Sequence, residues 1–131
     1  MNVLLVDDEA MMRKILKLTL ERCGFRVFDA ATVAEALALS QQHPVDILVT
    51  DIVLEGVEGW TLAESIREQH PDLPIVFMSG YPIDFEGECK RYSRCTFLFK
   101  PLQPQDLTKA ISELAGTVTL PAVPPPSTVG K

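Results

Sequence analysis

A chain of 131 residues with 47% hydrophobic content is long enough for one domain around one core, and too apolar to be disordered over most of its length. Its 12 Lys/Arg against 18 Asp/Glu leave a formal charge of −6, which speaks against direct contact with nucleic acid. No apolar run approaches the roughly 18–20 residues of a membrane span. Asp7 and Asp8 interrupt the first apolar segment, and Cys23, Cys89 and Cys95 lack metal-ligand spacing, so a soluble cytoplasmic domain is expected, without a leader, zinc site or disulfide scaffold. The acids are unevenly placed: residues 1–60 hold ten against five bases, and residues 61–131 hold eight against seven.

Val3 to Val6 is a short apolar run without alternation, the pattern of a strand buried on both faces. Asp7-Asp8-Glu9 stop it and open a helix whose apolar positions Met12, Ile15, Leu16, Thr19, Leu20 and Cys23 recur at three- and four-residue steps, with Gly24 as the stop. Phe25 to Phe28 is predicted as a second strand. Thr32 and Glu35 have the spacing of a capping box for a helix carrying Ala34, Leu37 and Ala38 up to His43, and Pro44 ends it.

Val45 to Thr50 is predicted as the third strand, ending on Asp51, and a glycine-punctuated loop follows over 55–59. Thr61 and Glu64 offer a second capping-box spacing, with Leu62 and Ile66 marking the apolar face of a helix up to His70. Ile75 to Met78 is a fourth buried strand. Residues 82–94 carry the weakest pattern, with Pro82 and Gly87 limiting any helix. Cys95 to Phe99 is the fifth strand, and Pro104 to Ala115 a helix with Leu107, Ile111 and Leu114 inward, stopped by Gly116. From Thr117 the chain has four prolines and no apolar periodicity, as expected of a flexible tail or linker over 117–131. Five strands alternating with helical stretches predict an α/β fold with a parallel sheet covered on both faces.

In such a doubly wound sheet, ligands gather outside the carboxyl ends of the strands, where strand order reverses. Those ends carry the chemistry here: Asp7 and Asp8 after strand one, Asp51 after strand three, Ser79 after strand four, Lys100 after strand five. Neighbouring strands lie about 4.8 Å apart, so adjacent strands one and three would bring three carboxylates together. Uncompensated, they would raise one another's pKa, and a divalent cation relieves that. Carboxylates, a carbonyl and water suit Mg²⁺ or Mn²⁺ rather than zinc. An ammonium and a hydroxyl on the same rim complete a phosphoryl-binding set, in which a carboxylate can itself be the nucleophile. Asp51, ending the central strand, is the best candidate.

With these pieces in place, the chain resembles the response-regulator receiver domains of two-component signalling over residues 1–116. The resemblance rests on Asp7-Asp8 in LLVDDE, Asp51 in LVTDIV, Ser79 in FMSGYP and Lys100-Pro101 in LFKP, with 28 residues from Asp51 to Ser79 and 21 from Ser79 to Lys100. It is most similar to the receivers of hybrid sensor kinases. The resemblance implies a flavodoxin-like fold with strand order 2-1-3-4-5. It implies that Asp51 accepts a phosphoryl group from a sensor histidine kinase or histidine phosphotransfer protein and signals to a downstream output protein or domain. Mg²⁺ (or Mn²⁺) would be held by Asp8, Asp51 and the backbone carbonyl of Val53, with Asp7 acting through water. Ser79 and Phe97 would form the switch, and Lys100-Pro101 would be a cis peptide. Val53 and Tyr81 would border the path of hydrolytic water, so that the domain catalyses its own phosphorylation and only slow dephosphorylation. The family's usual Met-Pro after the phosphorylated Asp is replaced by Leu54-Glu55, which implies a looser loop and one more carboxylate near the pocket.

Plainer duties compete for several of these residues. Asp7-Asp8-Glu9 could cap a helix, and Lys90, Arg91 and Arg94 could form a solvated basic face or dock an acidic partner. His43 and His70, each at a predicted helix C-terminus before a proline, are taken as structural and not as phosphodonors. Against the phosphoacceptor stands a second class of function, a degenerate receiver serving as a phosphorylation-independent scaffold or dimerisation module. A small phosphatase with an Asp nucleophile would want alternating acids after its first strand, where this chain has adjacent ones.

Overall fold

Strand β1 (Asn2–Val6) divides its apolar side chains between two cores: Val3 and Leu5 join one, Leu4 and Val6 the other, and all four are fully buried. The unbroken apolar run is thus a strand covered on both faces, as expected. The computed structural model of the chain describes residues 1–54, 57–80 and 94–115. Within them, β1 is followed by α1 (Ala10–Arg22), β2 (Arg26–Ala30), α2 (Val33–Gln42) and β3 (Ile47–Asp51). A two-stranded antiparallel pair, β4 (Val53–Leu54) and β5 (Val57–Glu58), leads into α3 (Gly59–Gln69), β6 (Ile75–Ser79), β7 (Cys95–Phe99) and α4 (Pro104–Ala115).

The main sheet has the order β2-β1-β3-β6-β7 and is parallel throughout, the doubly wound, flavodoxin-like arrangement that the resemblance implied. On one face Leu16 and Leu20 of α1 and Leu107 and Ile111 of α4 pack against Val49, Val76 and Met78. On the other, Ala36 of α2 and Leu62, Ala63 and Ile66 of α3 pack against Leu48, Ile75 and Phe77. The helix after β1 lies on one face and the helix after β3 on the other, so strand order reverses between them and a crevice opens at their carboxyl ends.

Local chemistry explains the end of α1 and the start of α2. Gly24 stops α1 at φ 94°, a conformation open to glycine. Thr32 caps α2 by accepting from the Glu35 N–H at 3.1 Å, and the Glu35 carboxylate accepts from the Ala31 N–H at 2.8 Å. Three expectations are corrected. The Thr61/Glu64 spacing starts no helix, because α3 already runs from Gly59, directly out of β5. The buried arc of α2 is centred on Ala36, while Ala34 and Ala38 are exposed. Ile15, counted among the periodic apolar positions of α1, is 45% exposed, whereas Leu16, Leu20 and Cys23 are buried and Met12 packs against the same core. The predicted helical stretch at 82–94 lies, except for Arg94, outside the described residues, as do Gly116 and the tail from Thr117.

Candidate functional site

The crevice gathers the residues the strand ends deliver. Val6 pairs with Thr50 across the β1–β3 ladder, so Asp7 and Asp51 emerge side by side. Ligand oxygens of Asp7, Asp8 and Asp51 all lie within 4.8 Å of one another. Asp7 is fully buried and Asp51 is 5% exposed, whereas Asp8 faces solvent. Extending β1 by its two-residue period separates the adjacent acids in this way, one turned inward and one to the rim.

Lys100, just beyond β7, reaches across the strand ends. Its ammonium sits 2.8 Å from the Asp51 carboxylate and 3.3 Å from Oδ2 of Asp7. Its backbone N–H donates to the Ser79 carbonyl at 2.7 Å, which ties the ends of β6 and β7 together. The Lys100–Pro101 peptide is cis, as the resemblance implied.

Two buried carboxylates thus share one ammonium. Burial and the neighbouring Asp7 carboxylate push the pKa of Asp51 up to about 7, although Lys100 pulls the other way. For Lys100, burial favours the neutral amine, but Asp51 and Asp7 outweigh it and raise its pKa. Three carboxylates against one ammonium leave a formal −2, which one divalent cation would cancel. The donors are hard oxygens, with no His or Cys among them, so the set fits Mg²⁺ or Mn²⁺.

Asp7 takes part in the start of α1 and in the pocket at once. Glu9 is the N-cap of α1 and makes no side-chain cap bond, while the Asp7 carboxylate accepts the Glu9 N–H at 2.9 Å and turns toward Lys100. Ser79 ends β6 beside Asp51 and is 3% exposed. Phe97 lies on β7 with its ring stacked on Phe77 at 5.2 Å and edge-on to Trp60 at 5.9 Å. Trp60 also packs on Phe77 at 4.5 Å, and no sequence pattern had marked it. The backbone of Val53 follows Asp51 closely, in β4. Tyr81 and Glu55, like Lys90 and Arg91, fall outside the described residues.

Arg94 and His43 make contacts within the fold. Arg94 is no free docking group: its guanidinium donates to the Leu114 carbonyl at 3.1 Å and to the Asp72 carbonyl at 3.3 Å, closing the end of α4. His43 is the C-cap residue of α2 and stacks on Phe28 at 4.1 Å, and His70 is exposed after α3. Among the described residues no helix is long and apolar enough to cross a membrane.

Residues 3–112 match the family described as response regulator receiver domain. The chain is 35% identical over 116 residues to the sensor kinase CckA of Brucella abortus, covering 86% of this chain and 12% of that protein. It is 35% identical over 126 residues to the photosynthetic apparatus regulatory protein RegA of Cereibacter sphaeroides, covering 95% of this chain and 66% of that one. Its fold is similar to that of the chemotaxis protein CheY4 of Vibrio cholerae, with a TM-score of 0.79 at 27% identity over 86% of this chain and 97% of the other. The chain therefore spans from about one eighth to just under two thirds of these two relatives.

Proposed function

The chain belongs to the response regulator receiver domain family of two-component systems, and from that premise we propose that it accepts a phosphoryl group from a phosphohistidine onto Asp51 in a Mg²⁺-dependent reaction and thereby switches partner binding. The observation that carries this is the pocket itself: Asp7, Asp8 and Asp51 within 4.8 Å, with the Lys100 ammonium 2.8 Å from the proposed nucleophile. An oxygen of ionised Asp51 attacks phosphorus as the bond from phosphorus to the imidazole nitrogen breaks, and the imidazole leaves with the bonding pair. Asp7, Asp8, Asp51 and the Val53 carbonyl would hold Mg²⁺, which when bound neutralises the carboxylates and polarises a phosphoryl oxygen. Lys100 offers its ammonium to a second phosphoryl oxygen and Ser79 its hydroxyl to a third. The withdrawal of Ser79 toward the phosphoryl group would alter the space beside Phe97. With no hydroxyl of its own, Phe97 would then respond through its packing on Trp60 and Phe77.

A phosphohistidine on another protein needs a docking face beside the pocket. Helix α1 starts two residues after Asp8 and presents Met11, Ile15 and Leu18, exposed by 69, 45 and 49%, with Lys14 and Arg22 also exposed alongside. This apolar stripe at three- and four-residue steps suits an amphipathic helix of the phosphodonor. We assign residues 1–116 to the receiver and 117–131 to a tail or linker. Label transfer from a phosphorylated histidine kinase to the chain, lost on chelation of Mg²⁺ and in Asp51→Asn, is the expected result. Partner binding that persists with no labelling would instead support the scaffold function.

A further inference from the structure

The turn that carries Asp7 and Asp8 is braced from outside by a side chain that phosphoryl transfer leaves unused. Arg13, one turn into α1, donates from Nη1 to the backbone carbonyl of Asp7 at 2.7 Å and from Nε to Oδ2 of Asp29 at 3.1 Å. Lys17 takes the other oxygen of Asp29 at 3.1 Å. Asp29 stands on β2 next to Ala30, whose carbonyl accepts the Asp7 N–H at 3.1 Å. The backbone of Asp7 is therefore held at its N–H by β2 directly and at its carbonyl by a guanidinium that β2 anchors. The side chain follows, since the Glu9 N–H binds Oδ1 and Lys100 binds Oδ2. Asp29 is an effective anchor: burial disfavours its charge, but Lys17 and Arg13 outweigh burial and keep its pKa below the usual carboxylate value.

We propose that Arg13 is a positioning residue of the acidic pocket, locking the Asp7–Asp8 turn so that both carboxylates stay within reach of Asp51, with Asp29 and Lys17 as its brace. Touching no reacting atom, it acts through Asp7. This rests on the pocket being a Mg²⁺ site. Two effects of Arg13 on that ion have opposite signs, which makes the assignment testable. As a nearby cation, Arg13 disfavours Mg²⁺, so its removal by charge alone would tighten binding. As a positioning residue it preorganises the ligands, so its removal weakens binding.

Calorimetric titration of the full chain with Mg²⁺ should show Kd raised about tenfold in Arg13→Gln, the lower end of what loss of an outer-shell partner costs. Arg13→Lys, which keeps the repelling charge but not the two-ended fork, should also raise Kd above the wild type. Asp29→Asn, a milder perturbation of the fold, should raise Kd in the same direction and add little in the Arg13→Gln background. In the metal-free protein in EDTA, the Glu9 amide should exchange faster in Arg13→Gln relative to the Val49 amide in the core, which loss of global stability alone would not produce. An unchanged or lowered Kd in Arg13→Gln, or wild-type exchange at Glu9 in that variant, would overturn the assignment. A wild-type chain that binds no Mg²⁺ would overturn the metal site instead, and the Glu9 amide would still decide for or against Arg13.

Discussion

Replacing Asp51 with Asn should stabilise the metal-free protein, and most at alkaline pH. The carboxylate is 5% exposed beside a fully buried Asp7, and its pKa is pushed up to about 7 by burial and by that neighbour. Rising from 3.8 to about 7 costs the fold about 4 kcal/mol once Asp51 is ionised in both states, at about 1.4 kcal/mol per pH unit. Between about pH 4 and 7 the folded chain keeps a proton that the unfolded chain has released. The stability from this group is therefore full below about pH 4 and lost as pH rises through about 7. Asn removes the charge but also takes one of the two carboxylates that Lys100 contacts, leaving Asp7 at 3.3 Å. The pull of Lys100 on the charged form is already contained in that pKa, so the gain at pH 8 should approach the same figure, about 4 kcal/mol. By pH 5 protonation has already relieved more than half of the penalty in the wild type, and the gain should fall to about 2 kcal/mol. Urea unfolding in EDTA at both pH values, read as midpoints at constant slope, measures this. A lower midpoint for Asp51→Asn at pH 8, or an equal rise at both pH values, would refute the argument.

Three further outcomes are expected. Mg²⁺ affinity of the wild type should rise about tenfold from pH 6 to 8, because binding must displace the proton that Asp51 holds with a pKa of about 7, and a flat titration series would contradict this. Leu18→Arg should slow phosphoryl transfer from a histidine kinase about tenfold, the effect of about 1.4 kcal/mol at the docking stripe, while labelling by acetyl phosphate stays at the wild-type rate. An equal loss with both donors would place Leu18 outside the docking face. The aspartyl phosphate of the isolated chain should decay over hours rather than seconds, on the order expected from the resemblance, which implies that Val53 and Tyr81 border the path of hydrolytic water. Decay within seconds, followed by intact mass, would refute it.

The parallel sheet was legible because β1, β3 and β6 are buried on both faces, and only an unbroken apolar run satisfies two cores at once. The pocket was legible for a related reason: in this topology strand ends converge, so Asp7, Asp51, Ser79 and Lys100 could be placed together from position alone. The β4–β5 pair was missed because two-residue strands are too short for any period to register. The Thr61/Glu64 spacing misled because a capping box is a local signal, whereas the start of α3 is fixed by the strand feeding it. The brace of Arg13 on Asp29 spans 16 residues and two elements, and the packing of Trp60 on Phe97 spans 37, so neither leaves a mark in a local pattern.

The central claim is that Asp51 takes the phosphoryl group, and intact-mass measurement of the chain after incubation with acetyl phosphate and Mg²⁺ tests it most directly. A single phosphoryl adduct is expected in the wild type, absent in Asp51→Asn and absent when EDTA replaces Mg²⁺. An adduct that survives in Asp51→Asn, or a wild-type chain that takes none from either acetyl phosphate or a phosphorylated histidine kinase, would contradict it.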